Sequence, residues 1–183
     1  REQGLRVTAE TTSHHVTFTD EDCRSYDTHF KMMPPLRSVD DRAALVDALA
    51  DGTISAISSD HAPHTETAKE RTFAHAPFGV IGLETAFAAA HDALVVNGPL
   101  SLGRLIELMS TEPARILGRN PVTLSTGSAA DVVVLDPGAS WVVDPGQMRS
   151  RGRNCPWNGR ELTGRVVLTL LGGRETFSLN AGA

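Results

Sequence analysis

Ile54-Ser55-Ala56-Ile57-Ser58-Ser59-Asp60-His61-Ala62-Pro63-His64 is the stretch on which the fold of this chain turns. Its first six residues read as a strand, with Asp60 at the C-terminal end, and a long polar loop follows to about Phe78-Gly79. Just upstream, Ser38-Val39-Asp40-Asp41 opens a helix that runs to about Leu49. Ser38 is the N-cap, acidic residues fill the first turn, and Ala44, Leu45, Ala48 and Leu49 form an apolar stripe. Gly52 ends it. Downstream, Leu83 to Val96 is an Ala-rich apolar helix, and Leu102 to Leu117 is another behind the cap Ser101.

Further out, Lys31-Met32-Met33-Pro34-Pro35-Leu36-Arg37 is expected to be extended, because a residue before proline is pushed out of the α region and Pro35 cannot donate. Asp20 to Tyr26 begins as a turn of helix. Leu5 to Glu10 reads as another strand, ending in the polar loop Thr11-Thr12-Ser13-His14-His15. Strand, helix, strand, helix is the order of a β/α repeat with a parallel sheet, an α/β fold. After Gly118 the texture changes. Ala130 to Asp136 and Arg165 to Leu171 are β-branched runs closed by Pro137-Gly138 and Gly172-Gly173, so the tail reads as all-β. A boundary near 119–124 divides the chain into a β/α part, 1–120, and a small β part, 121–183.

Composition narrows the function classes. With 183 residues there is enough chain for a sizeable core in one or two domains. The formal net charge of −5 leaves no basic footprint, which argues against nucleic acid or an anionic membrane as partner. No apolar run reaches the roughly 20 residues of a membrane span. Two cysteines far apart, Cys23 and Cys155, make a disulfide framework improbable and a reduced, cytoplasmic setting the default. The chain opens Arg1-Glu2-Gln3-Gly4 and runs at once into a core-like strand, which reads as a piece cut from a longer protein.

In a β/α barrel, catalytic groups come from the C-terminal ends of strands and the loops that follow. Asp60 stands at such an end, with His61 and His64 close behind it. A carboxylate and two histidines can bind a divalent metal. Water on such a metal loses its proton near pH 7, to a carboxylate that acts as base while hydroxide attacks a carbonyl. Asp60 is that base in this reading, and it returns the proton to the leaving nitrogen. The other reading makes Asp60 a loop cap and the histidines surface residues. Two histidines separated by Ala-Pro are not a helical metal pair, so spacing alone leaves both readings open.

Ser59-Asp60-His61-Ala62-Pro63-His64-Thr65, Lys69 five residues beyond His64, and Ala76-Pro77-Phe78-Gly79-Val80-Ile81-Gly82-Leu83-Glu84-Thr85 together resemble the C-terminal signature of class I dihydroorotases. The resemblance extends upstream through His14-His15 and Lys31 to Arg37. Downstream it takes in Met109-Ser110, Gly127 to Asp131 and Pro156 to Leu162. It implies the C-terminal part of an amidohydrolase (β/α)8 TIM-like barrel, contributing strands seven and eight, plus part of a small all-β domain. It implies a hydrolase of pyrimidine biosynthesis that uses zinc, one or two ions, to interconvert N-carbamoyl-L-aspartate and dihydroorotate, and that forms a homo-oligomer when full length. On these motifs Asp60 is the zinc-contacting general base and acid. His64, Phe78, Gly79 and the residue before the Pro-Pro pair, Met33, contact substrate. His61 would orient Asp60 by a hydrogen bond, while His14 and His15 are structural.

Two features depart from that pattern. Bacterial class I enzymes usually carry asparagine where this chain has Met33, and a thioether cannot replace an amide donor. The remaining ligands of a zinc site, which needs about three or four, are absent from this sequence, so the chain alone is expected to be inactive. A hydantoinase or allantoinase is the near alternative. A metal-free scaffold subunit for aspartate transcarbamoylase is the distant one.

Overall fold

In the computed structural model, which describes residues 4–121 and 123–179, the strand before Asp60 forms as β2, Ala56–Ser58. It lies parallel to β1, Glu10–Thr12, in the register Glu10↔Ala56, Thr11↔Ile57 and Thr12↔Ser58. The upstream strand is therefore shorter and later than the expected Leu5–Glu10. Leu5 and Val7 remain exposed, because only Glu10 to Thr12 lie opposite β2. The residues read as a polar loop instead end β1 and enter helix α1, Ser13–Thr17, whose start is capped by the Thr12 hydroxyl accepting the His15 N–H.

Helix α2, Val39–Ala50, begins where expected. The Ser38 hydroxyl accepts the Asp41 N–H, and the Asp41 carboxylate accepts the Ser38 N–H, a reciprocal box that satisfies two orphan donors. Its inner face is Leu45, Val46, Ala48 and Leu49, whereas Ala44 is exposed. Ser38→Ala should lower stability by about 1 kcal/mol. The check is a reduced urea midpoint at unchanged denaturant slope.

After α3, Glu66–Lys69, the chain loops back to α4, Ala86–His91, which continues as a π-helical turn over Asp92–Val96. The second long helix is likewise interrupted. Helix α5, Leu102–Ile106, passes through a π turn, Glu107–Thr111, into α6, Glu112–Ile116. Pro113, which lacks an N–H and crowds the preceding turn, gives the physical reason for the wider turn before it. Val16, Leu49, Ile57, Leu94, Leu105 and Leu108 close the core between these helices and β2. No helix among the described residues is long and apolar enough to cross a membrane.

The C-terminal stretch forms an antiparallel sheet of β3, Val132–Val142, β4, Glu161–Leu171, and β5, Arg174–Ser178. Pro137-Gly138 does not close β3 as expected. The register shifts between Asp136 and Ser140, and the Asp136 carboxylate accepts the N–H groups of Gly138 and Ala139, so a bulge carries the strand past the proline. Gly172-Gly173, both at positive φ, turns β4 into β5. Between β3 and β4 the chain dips inward: Val143, Cys155 and Trp157, with Leu162 at the start of β4, pack with Phe18, Met32, Val80 and Ile81. Trp157 and Phe18 are fully buried with ring centroids 5.1 Å apart. That excursion carries Asn154 underneath the loop that follows Asp60.

Candidate functional site

Asp60 leaves β2 with φ +44, a left-handed conformation that aspartate tolerates better than most residues, and this turn throws its side chain out of the strand into half-exposure. The nearest charged-type neighbour is His14 on α1, whose Nε2 stands 3.9 Å from Asp60 Oδ2. That separation is too long for a hydrogen bond. Nor is it an ion pair at neutral pH: burial, and then His15, push the His14 ring down to about 3, so it is neutral. The His14 side chain is fully buried, and neither ring nitrogen has a hydrogen-bond partner among the described residues. His15 has a mechanical part. Its Nε2 donates to Pro34 O at 3.0 Å, and its Nδ1 meets the Thr12 hydroxyl at 2.7 Å, tying the Met33–Pro34 segment to the end of β1.

His61 does not orient Asp60. Its backbone bridges to Val80, and its Nδ1 accepts the N–H groups of Gly82 and Leu83 at 3.1 and 3.4 Å. The ring faces the chain leading to α4, away from the role expected of it, and serves to pin that segment beside the strand end.

His64, Phe78 and Gly79 are brought together. His64 Nε2 donates to Phe78 O at 2.7 Å, leaving Nδ1 as the available acceptor. Gly79, at φ +117, passes so close to Ala62 that a Cβ there would stand 2.5 Å from the Ala62 Cβ. Met33 joins them indirectly. Its side chain is exposed, but two residues before it Lys31 O accepts the Gly79 N–H at 3.0 Å.

Three buried polar side chains build this loop, and sequence reasoning gave none of them a role. Asn154 is a hub: its Oδ1 accepts the His64 N–H at 3.0 Å, while its Nδ2 donates to Ala62 O at 2.9 Å and Gly79 O at 3.1 Å. Lys69 donates to Pro77 O and Gly79 O, both at 3.0 Å. Lys31 donates to Ala74 O and Ala76 O at 3.0 and 2.7 Å. Burial, and secondarily the Lys31 ammonium, pull the Lys69 amine down to about 8, against a smaller opposing pull from Asp27. The unfolded chain keeps the ordinary lysine value, so between pH 8 and 10.5 it binds more protons than the folded chain. The cost of burying this charge is fully present below pH 8 and fades as pH rises. Wild type should therefore gain stability relative to Lys69→Met between pH 7.5 and 9.5, measured as a difference in urea midpoints.

The other candidates carry little chemistry. Cys155 is buried and its thiol is pushed up to about 11 by that burial, so it stays protonated and is no nucleophile. A groove of about 690 Å³, lined by His61, Leu83, Phe87, Trp141, Arg165 and Phe177, lies against β3 and β4 and includes none of Asp60, His64, Phe78 or Gly79. Its size does not make it the site, because the strand-end carboxylate of Asp60 and the His64–Phe78–Gly79 cluster lie outside it. Among the described residues no three His, Cys, Asp or Glu side chains are grouped to hold a metal. The half-exposed Asp60 carboxylate suits one oxygen ligand, and the rest of a site must come from other residues.

A family model described as the amidohydrolase family matches residues 5–176. A dihydroorotase of Anaeromyxobacter dehalogenans (strain 2CP-1 / ATCC BAA-258) is 49% identical over 176 residues, 95% of this chain and 40% of its own length. A dihydroorotase of Bacillus subtilis (strain 168) is 46% identical over 177 residues, 97% of this chain and 41% of its own. The solved L-hydantoinase (dihydropyrimidinase) from Arthrobacter aurescens superposes on 97% of this chain and 40% of its own, with a TM-score of 0.90 and 33% identity. The chain thus spans about 40% of the length of these curated relatives.

Proposed function

The chain belongs to the amidohydrolase family, and from that premise we propose that it is the C-terminal part of a zinc-dependent dihydroorotase. The enzyme closes N-carbamoyl-L-aspartate to dihydroorotate, and reverses that reaction, in pyrimidine biosynthesis. The observation that carries the reading is the strand-end carboxylate of Asp60 followed by the His64–Phe78–Gly79 lip, in a chain close to half identical to two dihydroorotases. In this reading β1 and β2 are strands seven and eight of a (β/α)8 barrel. Residues 1–120 belong to the barrel and 121–183 to a small β-domain.

Asp60 is one ligand of one or two zinc ions, and the remaining ligands lie outside this sequence. Bound zinc supplies polarisation of the substrate carbonyl and a more acidic water. In the hydrolytic direction, water oxygen bonds to the ring carbonyl carbon as the Asp60 carboxylate takes a proton from it. Asp60 then hands that proton to the ring nitrogen as the C–N bond breaks, so no net proton is left on the enzyme. His64, through its free Nδ1, and the Phe78–Gly79 lip hold the substrate. Met33 lines the same mouth with an apolar edge. The enzyme works in the cytoplasm as a homo-oligomer, with aspartate transcarbamoylase as a candidate partner.

A second reading, a hydantoinase, is favoured by Met33 in place of an amide and by the likeness to the L-hydantoinase structure. One assay separates them. Full-length, metal-loaded protein carrying this sequence should turn over dihydroorotate. Turnover of a hydantoin with none of dihydroorotate overturns the substrate, and turnover of neither overturns the enzyme.

A further inference from the structure

The loop from Ala74 to Gly79 has neither helix nor strand to occupy its carbonyls, yet nearly all of them are taken. Ala74 and Ala76 receive the Lys31 ammonium, Pro77 and Gly79 receive the Lys69 ammonium, and Phe78 receives His64. Gly79 O takes a second donor from Asn154, and the Lys69 ammonium also approaches Lys31 O at 3.5 Å. Both lysines are more than nine-tenths buried. Buried ammonium groups are costly unless paired, and these two face carbonyl oxygens. A neutral amide could satisfy carbonyls at lower cost, so burying two charges beneath one lip needs a reason beyond holding a turn.

We propose that Lys69, working with Lys31, is a positioning residue for the substrate: the two ammonium groups hold the backbone of residues 74–79 so that Phe78 and Gly79 meet the cyclic amide in a fixed pose. Lys31 also aims the Phe78 ring, with its Nζ 4.6 Å from the ring centroid. The two positive charges bias the lip towards a substrate that carries a carboxylate. This inference rests on the reading that Phe78 and Gly79 contact substrate. Asp60 is held separately by β2, so slackening the lip weakens binding without disturbing proton transfer.

Lys69→Met keeps the length and bulk of the side chain and removes its donors. In full-length, metal-loaded protein it is expected to raise KM about tenfold or more, as lost charge-assisted hydrogen bonds do, while kcat stays within about threefold of wild type and metal content is unchanged. If that variant does not fold, Lys69→Gln, which keeps an N–H donor but loses the charge, is expected to raise KM by a smaller factor, and a wild-type KM in it overturns the part given to the charge. A wild-type KM with a lowered melting temperature, or a fall in kcat at unchanged KM, overturns the proposal. The split is read on whichever cyclic amide the wild type hydrolyses, so a wrong substrate leaves it decidable. If wild type hydrolyses none, hydrogen exchange at the Gly79 N–H decides: faster exchange in Lys69→Met upholds the clamp, and unchanged protection overturns it.

Discussion

Asp60→Asn should lower dihydroorotate turnover by full-length, metal-loaded protein by about 10²–10⁴-fold, the range for removing a positioned general base or acid. Asparagine keeps the side-chain shape and one oxygen but cannot take a proton, so the loss falls on kcat. The fold should not suffer. Asp60 adopts φ +44, and asparagine shares with aspartate an unusual tolerance for that left-handed conformation. The side chain is half-exposed, and its nearest charged-type neighbour among the described residues, His14, is neutral and 3.9 Å away. An unchanged melting temperature together with lost turnover is the expected pair of results. Asp60→Ala is the blunter tool, because alanine at positive φ adds about 1–2 kcal/mol of backbone strain to the chemical loss. Asp60→Asn protein that still works within tenfold of wild type would remove Asp60 from the proton path.

The sequence disclosed the parts of this site whose signals are local. An apolar run that ends in Asp60 reads as a strand end, and Ser38-x-x-Asp41 reads as a helix start. The structure has β2 stopping at Ser58 and the box formed at α2. Signals that depend on a distant partner were not legible. Leu5 to Ala9 has a strand-like pattern, but pairing is decided by which residues lie opposite β2, and those are Glu10 to Thr12. Pro137-Gly138 carries the chemistry of a turn, yet Asp136 accepts the two N–H groups that follow and converts it into a bulge. Asn154 stands in Arg153-Asn154-Cys155-Pro156 with nothing to mark it, and it acts across 90 residues of chain on His64. Lys69 was visible as part of a signature, but its burial was not. His61 shows the converse failure. Its place beside Asp60 in sequence suggested a partner, whereas the chain turns at Asp60 with φ +44, His61 bridges to Val80, and its ring reaches Gly82 instead.

Gly79→Ala is the second large effect, and it differs from the first in kind. At φ +117 an L residue is strained by roughly 1–3 kcal/mol, and the added methyl would stand 2.5 Å from the Ala62 Cβ and 3.3 Å from His64 Nε2. Ala62 has no rotamer by which to retreat, so backbone must move, and overpacking of that sort costs about 1–3 kcal/mol more. The backbone that moves is the lip itself, with the Phe78 O–His64 contact and the Gly79 O contacts to Lys69 and Asn154 attached to it. A displacement near 1 Å in a substrate-positioning element is enough for a loss of about 10²-fold in kcat/KM. Stability and KM should therefore worsen together, where Asp60→Asn changes kcat alone. The clash and the strain can be told apart by adding Ala62→Gly, which clears the methyl in the way but leaves φ at 79 as it is. The double variant should recover much of the lost KM and only part of the lost stability, a coupling expected for side chains in contact. If Gly79→Ala binds substrate as wild type does, Phe78 and Gly79 do not form the substrate lip, and the functional part assigned to Lys69 goes with them.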